Sequence, residues 1–349
     1  MTEHIFATGS VKERIEAELK VYREHHEQSV REMHPQLSFV TLETLAHDRR
    51  YAALIAQPLL LEAFSLLARR LSVYEHCFPF DPTRVWVGIQ AQPGTEFFGG
   101  FYHEDQGYRY FQQIAITSLS GALSCHPVDR TLTTLELIRA YAHDTLHHNS
   151  YRLFFPLPHG GSPGQSFYRF QYGINFRKWN GKSYSAKDPI RSTMTRNLGN
   201  IMEAATDRFA HEFVLSLVEK IGYTAPSNPT ESYIYRDCTG QLTSADMLYL
   251  REIERGTTSV DAAPAFQIYL KNLRLFVQYV TMRYRCFLAE FDPQGSYGLH
   301  DLILEAMLSG KLKRLCQCLD TICGGKQSFS RLFKASHYSA TRFCLNQQS

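Results

Sequence analysis

His143 and His147 stand four residues apart in the stretch ELIRAYAHDTLHHNSYR, and Asp144 directly follows the first of them. On a helix, residues at i and i+4 lie one above the other on the same face. This spacing therefore offers two imidazoles to one metal ion and leaves a carboxylate near the same edge. Imidazole nitrogens and carboxylate oxygens are ligands for Zn²⁺, and an acid beside the metal can take a proton from the water that it activates. Sixty positions beyond His143, the segment Asn200-Ile201-Met202-Glu203-Ala204-Ala205-Thr206-Asp207 repeats the spacing with Glu203 and Asp207. Two helices patterned in this way supply two His, one Glu ligand and a spare carboxylate.

Those groups act together only if the chain builds both helices and sets them side by side. DRTLTTLELIRAYAHDTLHH has apolar positions at helical spacing and Asp or Thr caps, which predicts a helix from about Thr133. The second motif helix is expected from about Met194 to Ile221. Upstream, residues 10 to about 75 read as helices, one charged and amphipathic and one apolar all round. From Arg84 the pattern changes to period two in TRVWVGIQAQ, GTEFFGGFYHE and YRYFQQIAITSL, with turn signals between them. Three antiparallel strands in a row are expected there. The connector from Phe154 to Ser185 is rich in Gly, Pro and aromatics and reads as a wall or lid over a metal cleft. From Thr243 to about Cys323 the chain reads as mainly helical. The expected organisation is thus a helical region over 1–80, a metal-site region with a sheet and both motif helices over 81–225, and a mainly helical region over 226–349.

Composition narrows the function classes. A chain of 349 residues that is 44% hydrophobic can bury a substantial core. A formal charge of +3 gives no electrostatic footprint for nucleic acid. No run of about 18 apolar residues predicts a membrane span. The first twenty residues have no apolar core of a signal peptide, so the expected location is cytoplasmic, or outside the cell by a signal-less route. The eight cysteines are scattered, and Cys316, Cys318 and Cys323 fit no zinc spacing, so they are expected as reduced, half-buried thiols.

The two motif segments resemble the active site of the gluzincin metallopeptidases, the thermolysin and neprilysin group. There the third ligand is the Glu of an E-x-x-x-D segment on a later helix, and MEAATDRFA reads much like that helix. The resemblance covers about 25 residues in two patches. It implies an α+β, zincin-like fold in which a small mixed or antiparallel sheet lies over the first motif helix, with QQIAITSL as the edge strand that receives an extended protein or peptide substrate. It implies a zinc cofactor held by His143, His147 and Glu203, with Asp144 as general base and Asp207 orienting His143 through its other ring nitrogen. His211 extends that polar network. The donor to the oxyanion would come from downstream, with Tyr233, Tyr235 and Tyr269 as candidates. One departure matters: Asp144 stands where the family has Glu, and its side chain is one methylene shorter.

The same residues support two other readings. His143-Asp144 is similar to the His-Asp doublet of the HD-type metal phosphohydrolases, and His103 and Asp207 fall at plausible distances for that family's remaining ligands. HD domains are all-helical, however, and the residues around His103 and His126 read as strand, turn and loop. A third class keeps the scaffold and binds metal but turns over weakly, because the shorter acid misplaces the base. Fifteen His in the chain also make chance pairs common, and Glu24-His25-His26 reads as solvated surface.

Overall fold

The computed structural model describes residues 3–24, 37–90, 114–117, 129–157, 166–176, 178–179, 183–184, 198–254 and 277–329. Strand β1 (Glu3–Ile5) leads into helix α1 (Gly9–Glu24). Strand β2 (Leu37–Thr41) runs directly into helix α2 (Leu42–His47), where Thr41 caps the first turn by accepting from Thr44 N at 3.1 Å. Helix α3 (Gln57–Leu71) carries Pro58 in its first turn, where no helical hydrogen bond is lost. Strands β3 (Val85–Gln90) and β4 (Ile114–Thr117) precede the first motif helix, α4 (Arg130–Asn149). Strands β5 (Arg152–Pro156), β6 (Phe167–Tyr172), β7 (Asn175–Phe176), β8 (Lys178–Trp179) and β9 (Ser183–Tyr184) fill the connector. The second motif helix is α5 (Leu198–Ile221). Then come α6 (Pro229–Cys238), α7 (Ser244–Glu254), a π-type turn over Val277–Thr281, α8 (Met282–Phe291), α9 (Leu299–Ser309) and α10 (Lys313–Cys323).

The strands form two mixed sheets and one short pair. In the first sheet the order is β1-β5-β6-β7, with β1 parallel to β5 and the remaining neighbours antiparallel. In the second the order is β2-β3-β4, with β2 antiparallel and β4 parallel to β3. The β6–β7 turn is Gly173-Ile174, and Gly173 has φ +54°, as a two-residue turn with glycine first requires. The register between β5 and β6 changes along its length. Arg152 faces Tyr172 and Leu153 faces Gln171, yet Phe154 faces Arg169, so Phe170 is an extra residue on β6.

Two expectations are corrected here. The strands at 85–90 and 114–117 are parallel neighbours, not members of an antiparallel meander; the expected middle strand, around 95–105, lies outside the described residues. A parallel pair needs a crossover of a dozen or more residues, and 23 residues separate the two strands in sequence. The first 80 residues are also not purely helical, because β1 and β2 each add a strand to a different sheet.

Helix α4 sits at the centre. Leu132, Leu135, Ile138, Tyr141, Ala142 and Leu146 are buried on it, and so are the polar Thr134, Glu136, Thr145 and Asn149. It packs against α3, α5, α6 and β4. Buried apolar residues from Leu42 to Leu319, drawn from all three zones of the chain, form one cluster around it. A smaller cluster joins Ile15 and Leu19 of α1 to Phe154 and Phe167. No helix among the described residues is long and apolar enough to cross a membrane.

Candidate metal centre

Helix α4 starts at Arg130, earlier than the apolar pattern predicts, because Asp129 caps it by accepting from Thr131 N at 2.6 Å. It ends at Asn149, where the Arg152 guanidinium donates to the carbonyls of His147 and His148 at 3.2 and 3.1 Å. A cation at a helix C-terminus satisfies orphan carbonyls and complements the helix dipole. The last two turns of α4 are therefore held firmly, and they carry both imidazoles. α5 lies alongside α4, and Ile201, Met202, Ala204, Ala205 and Phe209 are buried on it.

The packing of the two helices brings three side chains to one point. His143 Nε2 and His147 Nε2 are 3.1 Å apart. Glu203 Oε1 is 3.1 Å from His143 Nε2, and Glu203 Oε2 is 3.1 Å from His147 Nε2. Among the described residues these three form the group of His, Cys, Asp and Glu side chains that converges closely enough to hold a metal ion. Cys316, Cys318 and Cys323 form no such group and stand half-buried along α10 as free thiols.

The outer nitrogens of the two imidazoles have different neighbours. His143 Nδ1 faces Asp207 Oδ1 at 4.0 Å, and Asp207 is only 3% exposed. Asp207 is itself surrounded: Arg139 stands at 3.4 Å, His211 Nδ1 at 3.5 Å, and the Thr281 hydroxyl donates to it at 3.5 Å. Burial lowers the His211 imidazole pKa, with Asp207 opposing and Arg139 reinforcing the shift. His147 Nδ1 lies 3.0 Å from the Tyr172 hydroxyl, which reaches it from β6.

Charge is unevenly distributed over the group. Burial raises the Glu203 pKa, but the His147 and His143 imidazoles beside it outweigh that and hold the carboxyl well below its usual range. For His147 burial acts downward, while Tyr172 and Glu203 push the other way and carry it to about 10. Asp144 has its pKa raised, chiefly by burial and against the pull of His143 and His147. Its carboxylate does not join the three converging donors.

The tyrosines expected to serve an oxyanion are not brought to the ligands. Tyr233 is buried with its hydroxyl unpartnered, and its electrostatic neighbours are Asp237, Asp246 and Arg236. Tyr235 packs against the Tyr223 ring, with centroids 6.0 Å apart, and is influenced by Glu219. Glu219 is sixteen residues past Glu203, about 24 Å along the helix. Both side chains turn into the packing between α6 and its neighbours because a half-polar aromatic serves as core equally well. Tyr269, His103 and His126 lie outside the described residues. Tyr172, Arg139 and Thr281 were not foreseen. The alternation FYRFQY points to a strand, but nothing local points Tyr172 at a histidine.

Comparison with protein-family models, with curated proteins and with solved structures found no match.

Proposed function

We propose that His143, His147 and Glu203 hold a zinc ion and that the protein is a zinc-dependent hydrolase of the metallopeptidase kind. The convergence of the three donors carries this reading. Ligands around a tetrahedral zinc at about 2.0–2.1 Å stand roughly 3.3–3.4 Å apart; here the two imidazole nitrogens are 3.1 Å apart, each lies 3.1 Å from its own oxygen of Glu203, and one donor atom from each residue falls within 4.8 Å of the others. Two neutral imidazoles and one carboxylate suit zinc in its catalytic form, in which three protein ligands leave a fourth position open. When bound, zinc lowers the pKa of a coordinated water toward ~7 and polarises a substrate carbonyl.

The chain's own groups supply the remainder. In this reading Asp144, which follows His143 on α4, is the base that accepts a proton and returns it to the leaving amine, and burial raises its carboxyl pKa in the direction that favours accepting one. The Tyr172 hydroxyl lies at hydrogen-bond distance from His147 Nδ1 and the Asp207 carboxylate stands 4.0 Å from His143 Nδ1, an arrangement that would favour ring protons on the outer nitrogens and leave both Nε2 lone pairs for the metal. Strand β4 lies beside α4 at the end of its sheet's described order, where an extended peptide substrate would add its backbone.

The phosphohydrolase reading requires Asp144 as a direct ligand, and here the carboxylate that meets both imidazoles is Glu203. That observation favours the peptidase. The test is zinc content by elemental mass spectrometry, together with cleavage of a peptide library with and without chelator. One zinc per chain with chelator-sensitive peptide cleavage is expected. Hydrolysis of nucleotides in place of peptides, or no metal after loading with zinc, would sink the proposal; zinc without turnover would leave a binding protein on this scaffold.

A further inference from the structure

Strand β6 carries aromatics at 168, 170 and 172, a spacing that would place all three on one face of a regular strand. The extra residue Phe170 breaks that rule. Phe155 faces Tyr168 in the register, and Phe155 stacks on Phe6 at 4.8 Å and on Phe170 at 4.4 Å, so Phe6, Phe155, Tyr168 and Phe170 share one face. Phe154 faces Arg169, and Phe154 is buried under α1, so these two belong to the other face. Arg152, two residues before Phe154, shares that face, and Tyr172 is its register partner. Tyr172 has therefore crossed to the α1 side of the sheet. The guanidinium groups over its ring agree, with Arg169 at 4.1 Å and Arg152 at 5.7 Å from the centroid. A bulge is a known means of re-aiming a side chain next to a site.

The hydroxyl so delivered has one proton and two neighbours in reach. It donates to the His147 carbonyl at 3.1 Å, which leaves its oxygen to accept from His147 Nδ1 at 3.0 Å. The rings of Tyr172 and His147 lie nearly parallel, 20° apart, with centroids 6.2 Å apart, so the contact is edge-on and in plane. One side chain thus fixes both the end of α4 and the direction of the His147 Nε2 lone pair.

We propose that Tyr172 is the positioning residue of the metal centre, set in place by the Phe170 bulge; this rests on the reading of His143, His147 and Glu203 as metal ligands. Removal of a hydrogen-bond partner that orients a metal-bound imidazole typically weakens the metal by 10–100-fold. Tyr172→Phe keeps the ring under Arg169 and removes only the hydroxyl. Tyr168→Phe makes the same change on the opposite face and serves as control. Zinc affinity is measured by competition with a chromophoric chelator, and the imidazole N–H protons of the zinc-loaded protein by NMR. Tyr172→Phe should bind zinc about 10–100-fold more weakly, lower the melting temperature of the metal-free protein because the His147 carbonyl loses its donor, and lose one slowly exchanging low-field imidazole proton. Tyr168→Phe should match the wild type in zinc affinity and in the low-field proton. A wild-type affinity and an intact low-field proton in Tyr172→Phe would overturn the role of Tyr172 while leaving the ligand set standing. A wild-type protein that binds no zinc would overturn both. Should Tyr172→Phe not fold, Tyr172→Trp, which keeps a large ring and offers no acceptor, carries the same expectation.

Discussion

Gly240 gives a way to disturb the ligand group from outside it. It lies two residues past α6 with φ +67°, and Arg285 donates to its carbonyl at 2.8 Å, so its backbone is anchored. A methyl group added there would stand 2.9 Å from His211 Cβ and 3.0 Å from His211 Cγ and Nδ1. Those separations are roughly 0.5–1 Å inside favourable carbon contact. Placing alanine in the left-handed region costs about 1–2 kcal/mol, and forcing extra volume into a packed interior costs about 1–3 kcal/mol. Gly240→Ala should therefore destabilise the protein by about 2–5 kcal/mol. Gly222 has φ +64° with nothing within 4 Å of an added Cβ, so Gly222→Ala carries the backbone cost alone. The difference between the two variants isolates the contact, at about 1–3 kcal/mol. The push also has a direction. His211 Nδ1 is 3.5 Å from Asp207 Oδ2, and Asp207 Oδ1 is 4.0 Å from His143 Nδ1. A displacement nearing 1 Å at His143 costs up to ~10²-fold in rate, and zinc affinity should fall with it. Urea unfolding of the metal-free proteins measures the first effect and chelator competition the second. If Gly240→Ala is no less stable than Gly222→Ala, the contact argument fails; if it is less stable but holds zinc like the wild type, the His211–Asp207–His143 link fails.

Three further outcomes follow from the same site. Glu203→Gln removes the anionic donor between two imidazoles, so the protein should lose stoichiometric zinc in elemental analysis; full occupancy would show that Glu203 is not a ligand. In the metal-free protein the His147 pKa is lowered by burial and raised further by Tyr172 and Glu203, to about 10 from 6.5. Its contribution to stability is therefore complete below pH 6.5 and is lost as pH rises through about 10, so urea midpoints should fall over that window; flat midpoints would contradict the shift. Asp144→Asn should lower peptide turnover by about 10²–10⁴-fold with zinc retained, and loss of the metal instead would make Asp144 a ligand. Asp144→Glu separates a site built around Asp, in which turnover falls, from a weakened one, in which it rises.

The two pairs of residues four apart were legible because helical periodicity is a local property. Once α4 and α5 form, residues four apart must share a face, and only the packing of α5 against α4 remained to bring the faces together. What stayed hidden depended on pairings between distant segments. The parallel contact of β3 with β4 reads, in sequence, like two strands of a meander, because each strand looks the same in either sense. The tyrosines of α6 looked as suitable as any for an oxyanion, since their types do not tell a buried ring from a working hydroxyl. Tyr172 was hidden most deeply. Its alternating neighbours place it on the aromatic face, and a single unpaired residue moves it to the other one.

The pairing of β1 with β5 has a consequence for the order of assembly. Glu3–Ile5 lie against Arg152–Phe154, and Ile15 and Leu19 of α1 find their apolar partners in Phe154 and Phe167. At synthesis rates of about 5–20 residues per second, residues 3–24 emerge roughly 6–30 s before the strand that receives them. For that interval α1 has no native surface to cover its apolar stripe, and β1 has no edge to extend. Closing so long a loop brings its reward only after the interior has formed. Residues 3–24 thus depend for their docking on strands made long after them, the same β5 and β6 that supply Arg152 and Tyr172 to the end of α4.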